Sequence, residues 1–363
     1  MDGDNTALIL SKLWKDVETR RLFLCTAKSI SLSGQIEETP TTTAPEKNPD
    51  MSISSERRTI ADLRRAKLRF NTDQYYKIAV PSVYDLSRWI TGLVRMYHGL
   101  PLKVDKRDAA SAFRLLRLHH ALALVVVTEF PASHVHMEHD LACFYLVMPF
   151  GWNGSPAHFA RFGDAVTRAH NKCGLGRLSH TLMRHARRSV LYVDDGIFIE
   201  VNMRERLSGT TACWGHLTKG VLGADATNLD KLDEEGHWES QKILLGFTFD
   251  LSRLAITLPE EKMAGVRILL DHFFDVKRSQ VMQLLEVQQL RGHMEHFRST
   301  NEVWGIVKGP LALCLVSQMK SDVMSDFPNP AVWENFRDPL SIIETQCRDE
   351  DTWRALFEGE LIR

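Results

Sequence analysis

The chain has 363 residues, 45 Lys+Arg against 46 Asp+Glu, a formal net charge of −1 and 44% hydrophobic residues. At about 150 residues per domain that is material for two or three lobes, and the balanced charge means that any nucleic-acid contact must come from local basic patches. No apolar run reaches the roughly 18 residues of a membrane span, the acidic start Met1–Asn5 is unlike a secretory signal, and six cysteines without a Cys-x-x-Cys pair indicate no zinc ribbon or disulfide framework and fit a reducing, intracellular compartment.

In chain order, residues 6–24 carry a helical pattern in which Leu8, Leu10, Leu13, Trp14 and Val17 share a face. From about Thr26 to Ser55 the composition turns to Thr, Pro and charge, with little to bury, and predicts a disordered linker. Order resumes at Glu56 with a basic stretch. A helix follows from Ser82, with Asp85 in its first turn, Leu86, Trp89, Ile90, Leu93 and Tyr97 on its apolar face and Gly99 at its end. Residues 102–108 read as a strand, 109–118 as helix or turn, and 121–130 and 143–150 as further strands. Ser155 is the expected N-cap of a helix with Pro156 at its first position. Residues 189–201 predict two strands around a tight turn, and 242–250 with 254–258 a second hairpin. Beyond Pro259 helices are predicted over 259–274, 280–299 and several weaker segments to Arg363. Strands followed by helices give an α+β core and a helical lobe, divided as 1–55, 56–257 and 258–363.

The sharpest local feature is the apolar hairpin Leu191–Ile199, with Asp194 and Asp195 adjacent at its tip. One reading is an ordinary Asp-Gly hairpin turn, since both residue types tolerate positive φ. The other is a rigid projection of carboxylates into a metal site. Phosphoryl transfer from a nucleoside triphosphate suits two divalent ions about 4 Å apart, and hard ions such as Mg²⁺ take oxygen ligands. A metal explains two adjacent acids; a turn needs only one.

Tyr192-Val193-Asp194-Asp195 between apolar strands resembles the signature of reverse transcriptases, and other motifs of that family stand in order around it. Asp108-Ala109-Ala110-Ser111-Ala112-Phe113, after a strand, resembles the first palm motif; Asp105 is nearby, but only Asp108 has the Ala-aromatic pair four and five residues on. Pro149-Phe150-Gly151, continuing to Ser155-Pro156 and Phe159, resembles the second palm motif, P-x-G-x-x-x-S-P-x-x-F, and is the most specific string in the chain. Arg58-Thr59-Ile60-Ala61-Asp62-Leu63-Arg64 resembles the fingers motif, Asn228-Leu229-Asp230-Lys231 the motif that supplies a lysine near the pyrophosphate, and Leu244-Leu245-Gly246-Phe247 the hairpin that grips the primer. The likeness runs from about Arg57 to Gly309, and the wording is nearest that of tyrosine-recombinase-encoding retrotransposons, which Gln289-Leu290-Arg291-Gly292-His293 also fits.

The resemblance implies a right-hand polymerase fold: fingers, a ferredoxin-like palm sheet with helices, and a helical thumb. It implies an RNA-directed DNA polymerase in which Asp108, Asp194 and Asp195 are the catalytic carboxylates and hold two Mg²⁺ ions, with Mn²⁺ as the alternative. Phe113 would lie under the incoming sugar and exclude a 2′-hydroxyl, Phe150, Gly151 and Lys231 would border the nucleotide, and Arg58 would pair its triphosphate, for which a planar guanidinium is suited. Gly151 and Gly154 would let the backbone approach a ligand. Tyr192, Ser155, Pro156 and Gly246 would meet template or primer. The implied partners are an RNA or DNA template with its primer and dNTPs, with a ribonuclease H domain beginning where this chain stops. The fingers depart from the family, because the linker occupies the place of the usual lysine-bearing β-hairpin; the alternative is therefore a silent reverse-transcriptase-like scaffold that only binds nucleic acid or protein. His134-x-His136-x-x-His139 invites a zinc reading but falls in a polar connection between strands, where a solvated loop is the favoured reading. His293-x-x-His296 is not the H-E-x-x-H zinc pattern, and the basic run Arg184–Arg188 serves equally as a phosphate contact or a solvated loop.

Overall fold

The computed structural model describes residues 3–29, 41–47, 53–61, 76–123, 126–130, 132–135, 137–173, 188–265, 267–268, 292, 296 and 358–360. The chain divides into two compact units, the first made of residues 1–48, 53–80 and 105–238, the second of 49–52, 81–104 and 239–363. Both helices and sheets contribute throughout. Among the described residues no helix is long and apolar enough to cross a membrane.

The first unit opens with helix α1 (Gly3–Glu18). The apolar pattern predicts helix as far as residue 24, but Arg20 takes φ +56° and the chain turns into strand β1 (Leu22–Thr26). Ile9 and Leu13 are buried while Trp14 stays largely exposed. Later in the chain come a short helix α3 (His120–Ala123), strand β5 (Val127–Phe130), a helical turn α4 (Ala132–Val135) and strand β6 (Leu141–Tyr145). β6 is the centre of an antiparallel sheet in the order β1-β6-β5.

The expected linker holds a hairpin. Strand β2 (Thr41–Lys47) pairs antiparallel with β3 (Ile53–Ala61), Thr42 opposite Ile60 and Ala44 opposite Arg58. The run of β-branched threonines suits a strand. The composition reads as a linker because the partner that orders it lies a dozen residues further on.

A second sheet joins β4 (Leu102–Asp108), of which 105–108 belong to this unit, β7 (Ser189–Tyr192) and β8 (Asp195–Val201) in the order β4-β8-β7. β8 is buried from Gly196 to Val201. This includes Glu200, whose carboxylate is held by two guanidinium nitrogens of Arg206. Helices α5 (Gly154–Cys173) and α6 (Arg206–Leu222) pack with this sheet, and α6 has no counterpart in the predicted elements. Its sequence, rich in Thr and Gly, carries no regular apolar stripe. What fixes it is aromatic: Trp214 meets Phe198 of β8 edge-on at 4.9 Å, and buried His170 of α5 meets both rings. The Thr210 carbonyl can only accept, so His170 Nε2–H donates to it (3.1 Å), and Nδ1 faces the Ser189 hydroxyl at 2.9 Å. One imidazole thus ties α5, α6 and β7.

In the second unit, helix α2 (Val83–Met96) starts with a capping box. The Ser82 hydroxyl accepts from the Asp85 amide, and the Asp85 carboxylate accepts from the Ser82 amide at 2.9 Å. Its predicted apolar face, Leu86, Trp89, Ile90, Leu93 and Tyr97, is buried. Residues 241–257 form three strands rather than one hairpin: β9 (Gln241–Leu244), β10 (Phe247–Asp250) and β11 (Ala255–Thr257). A fourth, β12 (Glu358–Glu360), pairs with β11 in a stretch expected to be helical. Of the predicted C-terminal helices, 260–265, 267–268 and the positions 292 and 296 are helical; the remainder lies outside the described residues.

Burial pushes the Cys143 thiol of β6 up to about 12, with neighbouring Cys25 adding to the rise. The reactive species is the thiolate. At pH 8, iodoacetamide should therefore label exposed Cys173 and leave Cys143 unmodified until the chain is unfolded, as read by peptide mapping.

Candidate active site

The β7–β8 pairing places Tyr192 opposite Asp195, so the two turn residues are Val193 and Asp194. Val193 has φ +56°, a conformation that a β-branched side chain rarely adopts. Positive φ at the first turn residue alone is the pattern of a type II′ turn, where glycine is usual. Gly196 lies outside the turn and is required for another reason: a Cβ there would stand 2.7 Å from Cζ2 of Trp214. The Asp-Gly pair is thus not the turn, and Asp194 sits on a tip held against local preference.

Two strings distant in sequence meet at this tip. The Ala109 amide donates to the Asp194 carbonyl at 3.1 Å, joining the end of β4 to the turn. Ala110 donates to the Ala226 carbonyl (2.9 Å), and the Asn228 amide to the Asp108 carbonyl (3.3 Å). Asn228 then works in two directions. Its Oδ1 accepts from the Lys231 amide as the N-cap of helix α7 (Leu229–Glu235), and its Nδ2 donates to Asp108 Oδ2 at 3.1 Å. The Lys231 ammonium stands 3.3 Å from the same oxygen. Asp108 and Asp194 line one cavity, whose wall is completed by Phe159, Val166, Leu191 and Trp214. Asp105, the rival acid of β4, is fully buried and closed off by Arg107 Nε at 3.1 Å and the Lys106 amide at 2.8 Å.

Asp195, expected as a third metal carboxylate, is engaged by Lys106, whose ammonium lies 3.3 Å from Asp195 Oδ2 and 3.4 Å from Glu235 Oε2 of α7. Burial raises the Asp195 carboxyl to about 6, Lys106 opposes that rise, and the like charges of Asp194 and Asp108 add to it. Lys106 moves the other way from what burial alone dictates: Asp195 and Glu235 outweigh desolvation and its net shift is upward. The two partners differ because the lysine faces only opposite charges, whereas Asp195 also faces two acids. Among the described residues, no group of three or more His, Cys, Asp or Glu side chains is assembled for a metal. The pair Asp108 and Asp194 offers only carboxylate oxygens, the donor type hard divalent ions take, and in that respect fits Mg²⁺ or Mn²⁺.

The aromatic residues of the two palm-like strings also meet. Phe113, in a 3-10 turn over Ala112–Leu115, packs on Phe150 with ring centroids 5.6 Å apart and edge-on against Phe159 of α5 at 5.9 Å. Gly151, with φ +97°, makes its close approach to the chain itself: a Cβ would collide with the Ala61 carbonyl and stand 2.6 Å from Ile60 Cγ2. There the Ala61 amide donates to the Phe150 carbonyl at 3.0 Å. Gly154 is likewise met by the ring of Trp152, 2.6 Å from a Cβ. α5 begins at Gly154, so Ser155 lies inside the helix rather than capping it. Its side chain is fully buried and its hydroxyl donates to the Pro149 carbonyl at 2.9 Å, fixing the turn into the helix. Pro156 is half-buried and Tyr192 is exposed beside the acidic tip. Arg58 is placed on β3 by its backbone, opposite Ala44, while Asp62 and Arg64 lie outside the described residues.

In the second unit, Leu245 and Gly246 turn β9 into β10 with φ +51° and +82°. A Cβ on Gly246 would meet Lys262 Nζ at 2.8 Å and His296 Nε2 at 3.0 Å; the Lys262 ammonium donates to the Gly246 carbonyl, and His296 stacks on Phe247. His134 is placed on α4 by its backbone, whereas His136, His293 and residues 184–187 of the basic run lie outside the described residues.

Sequence reasoning misses Lys106, Glu235 and the side chain of Asn228. Lys106 was within reach, because residues two apart on a strand share a face, which puts it beside Asp108. Asn228 before a helical run is an N-cap signal, although its second bond, to Asp108, depends on the fold. Glu235 carries no local signal.

No family model matches the sequence, and no curated protein matches it. Solved structures do. The foamy viral protease–reverse transcriptase in complex with RNA/DNA hybrid aligns over 95% of this chain and 37% of its own, with a TM-score of 0.56 and 14% identity. The same viral protein in complex with double-stranded DNA aligns over 93% and 56% (TM-score 0.55, 13% identity). Its dRH form with double-stranded DNA aligns over 91% and 46% (TM-score 0.54, 13% identity). The chain spans about half or less of the length of these viral proteins. The likeness establishes a reverse-transcriptase-like fold.

The geometry of the tip separates two substitutions. Gly196→Ala should cost about 1–3 kcal/mol through overpacking against Trp214. Val193→Gly, which suits the positive φ, should leave stability unchanged or raise it. Chemical denaturation of both variants checks this, and a harmless Gly196→Ala would contradict the packing described.

Proposed function

We propose that the chain is an RNA-directed DNA polymerase of a mobile retroelement, adding dNTPs to a primer 3′ end by two-metal nucleotidyl transfer. The observation that carries this reading is the meeting of Asp108 and Asp194 at one cavity, joined by the backbone bond from Ala109 to Asp194. Divalent ions bound there would activate the attacking 3′-hydroxyl and neutralise charge on the leaving pyrophosphate. The chain's own groups do the remaining work. Asp108 and Asp194 hold the ions, and the Phe113–Phe150 pair forms the floor on which the sugar rests, excluding a 2′-hydroxyl by bulk. Lys231, exposed enough to move, leaves Asp108 for the triphosphate and serves as general acid to the pyrophosphate.

In the right-hand arrangement that this reading assigns, β2 and β3 belong to the fingers, with Arg58 as the cation for the triphosphate. The β4-β8-β7 sheet with α5 and α6 is the palm, and the chain beyond Pro259 is the thumb. The β2–β3 hairpin favours the polymerase reading over a silent scaffold, since a strand pair stands where the sequence predicts a linker. The structural neighbours that hold double-stranded DNA and RNA/DNA hybrid support a primer–template duplex as partner, recognised by backbone shape. The wording of the motifs favours a tyrosine-recombinase-encoding element.

The purified chain should extend a DNA primer on an RNA template with Mg²⁺. Asp108→Asn and Asp194→Asn should each cost on the order of 10²–10³-fold or more, the scale of losing a charge-stabilising group at a reacting centre. Extension that survives either change at the parent rate would refute the assignment. Phe113→Ala should raise ribonucleotide use relative to deoxynucleotide roughly 10- to 100-fold, measured as the ratio of kcat/KM values.

A further inference from the structure

We propose that Lys106 is a positioning residue that holds Asp195 in a fixed ion pair and out of metal coordination, leaving Asp108 and Asp194 as the two carboxylates that bind the ions. This inference rests on the polymerase reading of the same site. Lys106 stands two residues before Asp108 on β4, so both side chains leave the strand on one face. Its ammonium is bracketed by Asp195 of the hairpin (3.3 Å) and Glu235 of α7 (3.4 Å).

The same short helix reaches both acids. From its start, Asn228 and Lys231 hold Asp108 Oδ2; from its end, Glu235 holds the lysine that holds Asp195. The two lysines are not equivalent. The side chain of Lys231 is 46% exposed and ion-paired with Asp108, and so is displaceable. That of Lys106 is 20% exposed and meets two acids, and so is fixed. Asp195 follows Asp194 directly, so without a partner of its own it would compete for the same cations. Removing one member of a largely buried ion pair strands the other charge, whereas removing both does not.

The test is a double-mutant cycle on the full chain with Lys106→Met, Asp195→Asn and the double variant, alongside Lys106→Arg and Asp194→Asn. Free Mn²⁺ is titrated by electron paramagnetic resonance without nucleic acid, and primer extension is measured separately. Lys106→Met should bind Mn²⁺ about tenfold more tightly, because it loses a cation and gains a ligand, and yet extend primers at least about tenfold more slowly. Lys106→Arg should stay near the parent in both. Asp195→Asn should bind Mn²⁺ within about threefold of the parent, and in its background Lys106→Met should no longer tighten Mn²⁺ binding. A lysine that merely supports the fold would weaken metal binding and activity together. The proposal is overturned if Asp195→Asn weakens Mn²⁺ as severely as Asp194→Asn does, or if the two substitutions act additively. A parent chain that binds Mn²⁺ but extends no primer defeats the polymerase reading, while the Mn²⁺ cycle still decides the role of Lys106.

Discussion

The site depends on one backbone hydrogen bond, from the Ala109 amide to the carbonyl of Asp194. Its donor follows Asp108, its acceptor belongs to the acid of the hairpin tip, and it fixes how far apart their side chains begin. Neither end is free to drift. Ala110 and Asn228 continue the seam on the Asp108 side through Ala226 and the Asp108 carbonyl. On the other side, Trp214 under Gly196 sets the depth of the hairpin. A buried backbone donor or acceptor without a partner is costly, so the seam holds as a unit.

Around that seam the first unit is built so that remote segments bear on the residues next to Phe113. Ile9 and Leu13 of α1 belong to the same core as Ala109, Ala112 and Phe159, and Phe113 packs against it. Asp16 of α1 pairs with Arg114, the neighbour of Phe113. β1, the strand that follows α1, is an edge of the sheet centred on β6. The N-terminal segment is therefore part of the wall behind Phe113.

The sequence disclosed the parts of the site that are chemical strings. Asp108, the Phe113 and Phe150 rings, and the Asp194–Asp195 pair are legible from pattern, and the structure brings Asp108 to Asp194 and Phe113 to Phe150. What stayed hidden has a common cause: it depends on partners that no local pattern announces. β2 reads as linker until β3 is beside it. α6 has no apolar stripe, because one tryptophan and a histidine bridge do the work a stripe would do. Ser155 looks like a helix cap, but complete burial leaves its hydroxyl the Pro149 carbonyl. Local geometry also misled at the tip, where Asp195-Gly196 suggested a turn two residues later than the one formed at Val193-Asp194.

Gly151 carries a lesson for mutational scanning. It sits in the most recognisable motif of the chain, beside a ring assigned to the incoming nucleotide, so a damaging replacement there invites the interpretation that a ligand contact has gone. The atoms that a new side chain strikes first are those of Ala61 and Ile60. Such a variant would report a displaced β3 strand, and its kinetics would be those of a misplaced hairpin rather than of a lost binding group.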